Sequence, residues 1–228
     1  MPGAWEIMKM RRERVMVCII TPPELKHSRW WCRAFRSLQL PAGSEFKYVE
    51  GFPYDAARNI GLKNMIDEQF GFIVFWDSDV VPPADTVPRL IETGRDLIGG
   101  LYTRRGPPFD IVAGNATYDA AGKHIGFKMP AYTQGEIVPV DVLGMGVTLI
   151  SRRCVQAVMA KHPRPFAWGV DLESIREESG ALIPRTSEDF VFCIRAKEAG
   201  YQPWAHTGIY AQHELMAVST PQGGVQMP

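Results

Sequence analysis

Uninterrupted apolar runs alternate with mixed segments through the first half of the chain, and this pattern predicts its secondary structure. A short apolar run rich in β-branched and aromatic residues indicates a strand that is buried on both faces. The predicted strands are Val15–Ile20, Phe46–Val49, Phe72–Trp76 and Leu97–Tyr102, and the predicted helices are Ser28–Leu38, Ala56–Gln69 and about Ala84–Thr93. Strands that alternate with helices predict an α/β fold with a largely parallel central sheet.

The second half of the chain has shorter apolar runs and more turn residues, which predict a smaller mixed region. We expect short strands at Ile111–Ala113 and Tyr118–Met129 around a turn at 119–123, then strands at Val138–Leu143 and Val147–Ile150. The predicted helices are Arg152–Lys161 and Ser187–Ala199, and Gly200 ends the second one. The stretch 163–184 lacks periodicity and predicts a long loop, and 217–228 predicts a loose tail.

The composition is that of an ordinary globular domain, with 46% apolar and 22% charged residues among 228. The 25 basic and 25 acidic residues balance, so there is no strong nucleic-acid signal. No apolar stretch approaches the ~20 residues of a membrane span, and the run after the basic N-terminal residues is too short for a signal peptide. The four cysteines show no paired spacing. These features predict a soluble, cytoplasmic protein of one domain.

Two acidic residues separated by one serine directly follow the predicted strand Phe72–Trp76. Asp77 and Asp79 are therefore expected at the carboxyl end of a buried strand, where α/β sheets bind ligands. Carboxylate oxygens there suit Mg²⁺ or Mn²⁺, which bridge a protein to the phosphates of a substrate. Taken alone, the same acids are equally compatible with a solvated loop.

Two helix starts carry further candidate side chains. The segment Asp55–Leu62 contains Arg58, and a guanidinium can pair bidentately with a carboxylate or a phosphate. The segment Ser187–Tyr201 carries Glu188 and Asp189 in its first helical turn. Acids at that position also stabilise a helix end without any further function, and an arginine on a helix is often solvated.

Late in the chain, His213 lies about a dozen residues beyond Tyr201. Neutral imidazole is an acceptable Mn²⁺ ligand beside a carboxylate, and His206 is the competing candidate. Arg104 and Arg105 follow the predicted strand Leu97–Tyr102, where they are expected near a phosphate or the acceptor.

The segments that carry these candidate residues, taken in their order along the chain, resemble those of the family 2-like GT-A glycosyltransferases. The resemblance covers about residues 14–215. The resemblance implies a GT-A fold, with a Rossmann-like, mostly parallel sheet flanked by helices and a smaller acceptor-side region. Residues 14–110 would bind the donor, a UDP- or GDP-sugar, and 111–215 would bind the acceptor. The implied reaction transfers the sugar to a hydroxyl of a glycan, lipid-linked sugar, protein or modified nucleic acid, with inversion and with Mn²⁺ or Mg²⁺.

The resemblance also implies roles for individual residues. Asp189 would be the general base that deprotonates the acceptor hydroxyl, and Glu188 would hold the acceptor or orient the loop. Asp79, Asp77 and His213 would bind the metal, and Arg58 would reach toward the nucleotide and toward Asp77. The residues expected to contact the sugar nucleotide lie at strand ends, on the second helix and in a two-glycine loop: Thr21, Pro22, Glu50, Arg58, Asp77, Ser78, Gly144 and Gly146. Glu50 stands where the family usually has aspartate, which leaves recognition of the base open.

Two alternatives remain open at this point. A nucleotidyltransferase of related fold also uses acids and Mg²⁺, although no Gly-rich phosphate loop follows the first strand. A catalytically silent protein of the same fold could bind a sugar or a nucleotide.

The predicted loop 163–184 would form a lid over the donor, in which Phe166 and Trp168 either stack on a sugar or anchor the loop.

Overall fold

The computed structural model describes residues 13–21, 27–122, 124–168 and 187–214, and the backbone of two short strands beyond them. The five helices in this part of the chain are α1 (Arg29–Ser37), α2 (Tyr54–Asp67), α3 (Thr86–Glu92), α4 (Arg152–Lys161) and α5 (Glu188–Glu198). The strands are β1 (Val15–Thr21), β2 (Glu45–Glu50), β3 (Phe72–Asp77), β4 (Val80–Val81), β5 (Leu97–Leu101), β6 (Ala113–Tyr118), β7 (His124–Lys128), β8 (Ile137–Pro139), β9 (Val142–Leu143), β10 (Val147–Ser151), β11 (Trp204–Tyr210), β12 (Gln212–His213), β13 (Val218–Ser219) and β14 (Val225–Gln226).

A seven-stranded sheet in the order β2-β1-β3-β10-β5-β11-β8 forms the centre of the molecule. Strands β1, β2, β3, β5 and β11 run in one direction, whereas β10 and β8 run antiparallel to their neighbours. The predicted mostly parallel sheet is therefore confirmed, with β10 inserted antiparallel between β3 and β5. Because β8, β10 and β11 come from the second half of the chain, the two predicted halves share one sheet.

The two faces of the sheet carry separate apolar cores, because successive side chains along a strand point to opposite faces. On β1, Cys18 packs into the cluster that contains Leu62 of α2. Its neighbour Val17 packs into the other cluster, beside Trp31 of α1. The continuous apolar runs of the sequence therefore mark strands covered on both sides. None of the helices in the described ranges is long and apolar enough to cross a membrane.

Two strand predictions in the second half are wrong in their bounds. Residues 138–143 do not form one strand, because β8 pairs with β11 in the large sheet whereas β9 pairs with β6 in a three-stranded sheet. The Val140 amide still donates to the Pro203 carbonyl, next to β11, whereas the Asp141 amide donates to the Gly114 carbonyl of β6, so the chain changes partners between these two residues. The strand expected at 111–113 begins at Ala113 instead, since Ile111 forms only an isolated bridge with Thr103. The turn predicted after β6 is confirmed, and β13 pairs antiparallel with β14 inside the predicted tail.

Helix α2 lies close against the sheet because Gly61 faces it. A Cβ atom at this position would lie 2.7 Å from Cys18 Sγ and 3.1 Å from Phe75 Cε1, so a larger side chain would force the helix away. Residues three apart share a helix face, so Arg58 points toward the same sheet one turn earlier. The close packing at Gly61 thereby brings the Arg58 guanidinium to the carboxyl end of β3.

Candidate active site

The carboxyl ends of β1, β2 and β3 lie side by side at one edge of the sheet. Thr21 pairs in register with Glu50, and Ile20 pairs with Asp77. The Thr21 hydroxyl is buried and has no hydrogen-bond partner among the described residues, whereas Glu50 is exposed. Pro22 lies outside the described residues, so its contact with the donor stays a prediction.

Arg58 is 2% exposed and lies among three carboxylates. Its Nη2 donates to both carboxylate oxygens of Asp77, at 3.1 and 3.3 Å. Its Nε lies 2.8 Å from Asp189 Oδ1 and 3.5 Å from Glu188 Oε1. The predicted site residues of three distant segments therefore converge on one guanidinium. When all three acids are ionised they outnumber the single cation, so the cluster has an excess of negative charge.

Burial and the neighbouring carboxylates determine how this cluster ionises. Burial opposes the charge on Arg58, but Asp189, Asp77 and Glu188 outweigh it and raise the pKa of Arg58. Burial, followed by the charge of Asp189, raises the pKa of Glu188 to about 8. Burial also raises the pKa of Asp77, against the opposing effect of Arg58. The cluster therefore retains a proton near neutral pH, on Glu188.

Replacing Glu188 by glutamine should remove part of the pH dependence of stability. The native carboxyl keeps its proton up to a pKa of about 8, above its ordinary value of 4.5 in an unfolded chain. Between these values the native state binds more protons, so this group lowers stability as pH rises. We expect the Tm of Glu188→Gln, relative to the Tm of wild type, to increase as the pH is raised from 5 to 9. Calorimetry measures both values. A Tm difference that stays constant over this range would contradict the assignment, and Glu45→Gln on the exposed surface is the matched control.

The two-glycine loop packs against Tyr102 and Asp189. The amide of Met145 donates to Asp189 Oδ2 at 2.9 Å, and the amide of Gly146 donates to the Tyr102 hydroxyl at 2.9 Å. A Cβ at Gly144 or at Gly146 would lie 2.8 Å from Tyr102 Cζ. The Tyr102 ring therefore leaves no space for a side chain at either glycine. The contact of these glycines with a sugar stays a prediction. Sequence reasoning missed Tyr102, because a lone tyrosine at a strand end carries no motif.

The Asp-Ser-Asp turn is held by two tryptophan side chains of the same apolar cluster. The indole of Trp31 donates to the Asp77 carbonyl at 3.3 Å, and the indole of Trp76 donates to the Val80 carbonyl at 2.7 Å. Ser78, expected to contact the donor, is buried inside the turn. The amide of Glu214 donates to the Asp79 carbonyl at 2.8 Å, which attaches the end of the described chain to this turn. The turn therefore presents its second acid from a rigid backbone.

His213 lies beside Asp79, because β12 pairs with β4 directly after the turn. Its Nε2 is 3.4 Å from Asp79 Oδ2, and its Nδ1 is 2.6 Å from the Thr103 carbonyl. A carbonyl can only accept, so Nδ1 carries the proton and Nε2 keeps its lone pair. Burial lowers the pKa of His213, which favours the neutral ring. The competing His206 lies elsewhere on β11, where its Nδ1 accepts from the Gly208 amide.

These two side chains fit a divalent cation as a partial site. Within the described ranges, no group of three or more His, Cys, Asp or Glu residues is arranged to hold a metal. Asp79 and His213 supply one oxygen and one nitrogen ligand, and ions such as Mg²⁺ usually take their other ligands from water and substrate phosphates. The Asp77 carboxylate is bound by Arg58, so its expected role as a ligand stays a prediction.

The beginning of the predicted lid is anchored rather than free. Phe166 is fully buried and stacks on Phe192 with ring centroids 4.5 Å apart. Asn59 binds the Phe166 backbone on both sides, accepting from its amide at 3.1 Å and donating to its carbonyl at 2.8 Å. Trp168 is 46% exposed. The remainder of the predicted loop, from 169 onward, lies outside the described residues, so its role as a lid stays a prediction.

No family model and no curated protein matches the chain. Among solved structures, A197 from STIV is similar with a TM-score of 0.56 at 16% identity, over 94% of this chain and 93% of that chain. GalNAc-T7 with UDP, GalNAc and Mn²⁺ is similar with a TM-score of 0.52 at 10% identity, over 88% of this chain and 44% of that chain. This chain therefore spans less than half of the GalNAc-T7 chain.

These similarities define the class of fold. The chain has a GT-A-like α/β fold with a large mostly parallel sheet, as the sequence predicts, and five helices in the described ranges. One of the similar structures is a glycosyltransferase. At such low identity the similarity extends to the fold alone, and any activity has to be argued from the site.

Proposed function

We propose that the protein is a metal-dependent glycosyltransferase that moves a sugar from a UDP- or GDP-sugar to an acceptor hydroxyl with inversion. The observation that carries the proposal is the convergence of two groups at the carboxyl edge of one GT-A-like sheet. Asp79 and His213 offer ligands for a cation, and Arg58 holds Asp189 next to the same turn. A cation site beside a fixed carboxylate is the arrangement that this reaction needs.

The strand ends and one of the similar solved structures support the proposed class of donor. The Thr21 hydroxyl, which has no hydrogen-bond partner within the described ranges, and the exposed carboxylate of Glu50 lie at the edge where α/β sheets bind nucleotides. The similar GalNAc-T7 structure holds UDP and Mn²⁺, which supports the same classes of donor and metal here. A divalent cation held by Asp79 and His213 would neutralise the negative charge of the departing diphosphate.

Asp189 is the base in this proposal. Its side chain is 12% exposed against 5% for Glu188, so it is the more accessible of the two helix-start acids. The Met145 amide and Arg58 both bind its carboxylate, which fixes its direction. Glu188 lies deeper against Arg58 and keeps the guanidinium in place. The role of Asp189 is to take the acceptor proton as the acceptor oxygen attacks the sugar.

Replacing Asp79 by alanine should abolish Mn²⁺-dependent binding of the donor nucleotide while the fold stays intact. The reason is that Asp79 supplies the carboxylate of the cation site but contributes only a turn side chain to the structure. Titrations of UDP and GDP by calorimetry, with Mn²⁺ and with EDTA, measure the effect. Nucleotide affinity that is the same in both conditions, for wild type and variant, would rule out the metal assignment.

A panel of UDP- and GDP-sugars with Mn²⁺ tests the function itself. Slow hydrolysis of one sugar nucleotide is the expected result, because water can replace the acceptor hydroxyl. Binding without any turnover would favour the catalytically silent alternative. Release of pyrophosphate from a nucleoside triphosphate and a sugar phosphate would favour the nucleotidyltransferase.

A further inference from the structure

Arg105 lies in the position where a metal ion would join Asp79 to His213. Its Nε donates to His213 Nε2 at 3.1 Å, and its guanidinium also pairs with Asp79 Oδ2. The Thr103 carbonyl accepts from Nδ1 of the same histidine, so Nε2 is the only ring nitrogen with a lone pair to offer. A cation of the chain itself therefore occupies both ligand atoms of the candidate site.

Binding of Arg105 and of a metal ion to His213 is mutually exclusive. An imidazole nitrogen has one lone pair in the ring plane, which either accepts the Arg105 hydrogen bond or coordinates a metal. The carboxylate of Asp79 could serve both partners, but two cations on one oxygen would repel each other. A metal can use His213 only after the Arg105 side chain has moved away.

The Arg105 side chain can leave without disturbing the fold. It is 61% exposed, whereas the side chains of Asp79 and His213 are 16% and 12% exposed. The backbone beneath it is held independently, since the Arg104 amide donates to the Asp110 carbonyl at 2.9 Å. The Arg105 guanidinium can therefore move while its backbone and the two largely buried ligand side chains stay in place.

We propose that Arg105 is a built-in competitor for the metal that couples metal binding to donor binding. This inference rests on the proposed function. A metal alone must displace Arg105 and binds weakly. A metal that arrives with a nucleoside diphosphate binds tightly, because the displaced guanidinium pairs with the diphosphate oxygens, for which its planar fork is suited. In this way Arg105 makes the site selective for the metal–diphosphate pair over the metal alone.

Binding of Mn²⁺ alone, followed by electron paramagnetic resonance, tests the competition without any turnover. Arg105→Ala should bind Mn²⁺ about tenfold more tightly than wild type, since the release of a charged hydrogen bond is worth about that factor. Arg104→Ala on the same loop is the matched control and should stay within about twofold, because no charged partner at the metal site is removed. In a second titration with UDP and then GDP, Arg105→Ala should lose the increase in Mn²⁺ affinity that the nucleotide causes in wild type.

The outcomes separate this inference from the proposed function. If Asp79→Ala weakens Mn²⁺ binding while Arg105→Ala leaves it unchanged or weaker, the metal site stands and the competition by Arg105 is overturned. If Asp79→Ala and His213→Ala bind Mn²⁺ as wild type does, the metal site of the proposed function fails and the inference fails with it. Tighter Mn²⁺ binding by Arg105→Ala together with lost coupling to the nucleotide supports both.

Discussion

Replacing Arg58 by methionine should destabilise the protein by about 3–5 kcal/mol at neutral pH, the usual effect of removing one partner from a buried ion cluster. Methionine fills much of the space of the arginine but leaves Asp77, Glu188 and Asp189 without the cation that pairs with all three. Urea unfolding at pH 7.5 and at pH 5 measures the loss. The destabilisation should be smaller at pH 5, because burial raises the pKa of Glu188 and of Asp77, and protonation of these carboxyls removes uncompensated negative charge.

Lys63→Met on the same helix is the matched control for this experiment. Lys63 pairs with Asp67 one turn along α2, but their side chains are 70% and 54% exposed. Exposed pairs of this kind are worth about 0.3–0.5 kcal/mol, so the control should change stability little. If Arg58→Met lowers the free energy of unfolding no more than this control does, Arg58 does not stabilise the ionised forms of the three acids. The cluster is then not a structural unit of the site.

The sequence predicts the framework of the fold because its signals are local. Runs such as Val15–Ile20 and Phe72–Trp76 are long and apolar enough to mark buried strands, and the structure confirms them. Strand partners are not local: the apolar pattern of β10 is the same whether it pairs parallel or antiparallel, so its inversion between β3 and β5 could not be predicted. The split between β8 and β9 could not be predicted for the same reason, because it depends on the strand with which each segment pairs.

The site shows the same limit at the level of side chains. The resemblance implies that Arg58 reaches toward Asp77, but nothing in the sequence indicates that the same guanidinium also contacts Asp189. That contact depends on how closely α2 approaches the sheet, which Gly61 determines through its missing side chain. The pairing of Arg105 with Asp79 and His213, two of the three predicted metal ligands, depends likewise on a loop conformation that no residue pattern encodes.

Asp189→Asn should lower the rate of sugar transfer by about 10² to 10⁴, the usual contribution of a positioned general base. Asparagine keeps the shape of the side chain, and its amide oxygen can still accept from the Met145 amide, so the loop should stay in place. Donor binding should change little, because Asp189 contacts Arg58 and Met145 rather than the strand ends expected to hold the nucleotide. Single-turnover transfer and nucleotide titration, both with Mn²⁺, measure the two effects separately.

Glu188→Gln is the matched variant, since it changes the neighbouring acid by the same single atom. It should reduce transfer far less, because the Glu188 side chain is only 5% exposed and already retains its proton near neutral pH, its pKa being raised to about 8. A Glu188→Gln enzyme that loses transfer while Asp189→Asn keeps it would reverse the two roles. The configuration of the product decides the mechanism: if the transferred sugar retains its anomeric configuration, neither acid acts as the base of an inverting displacement, and the assignment of Asp189 falls.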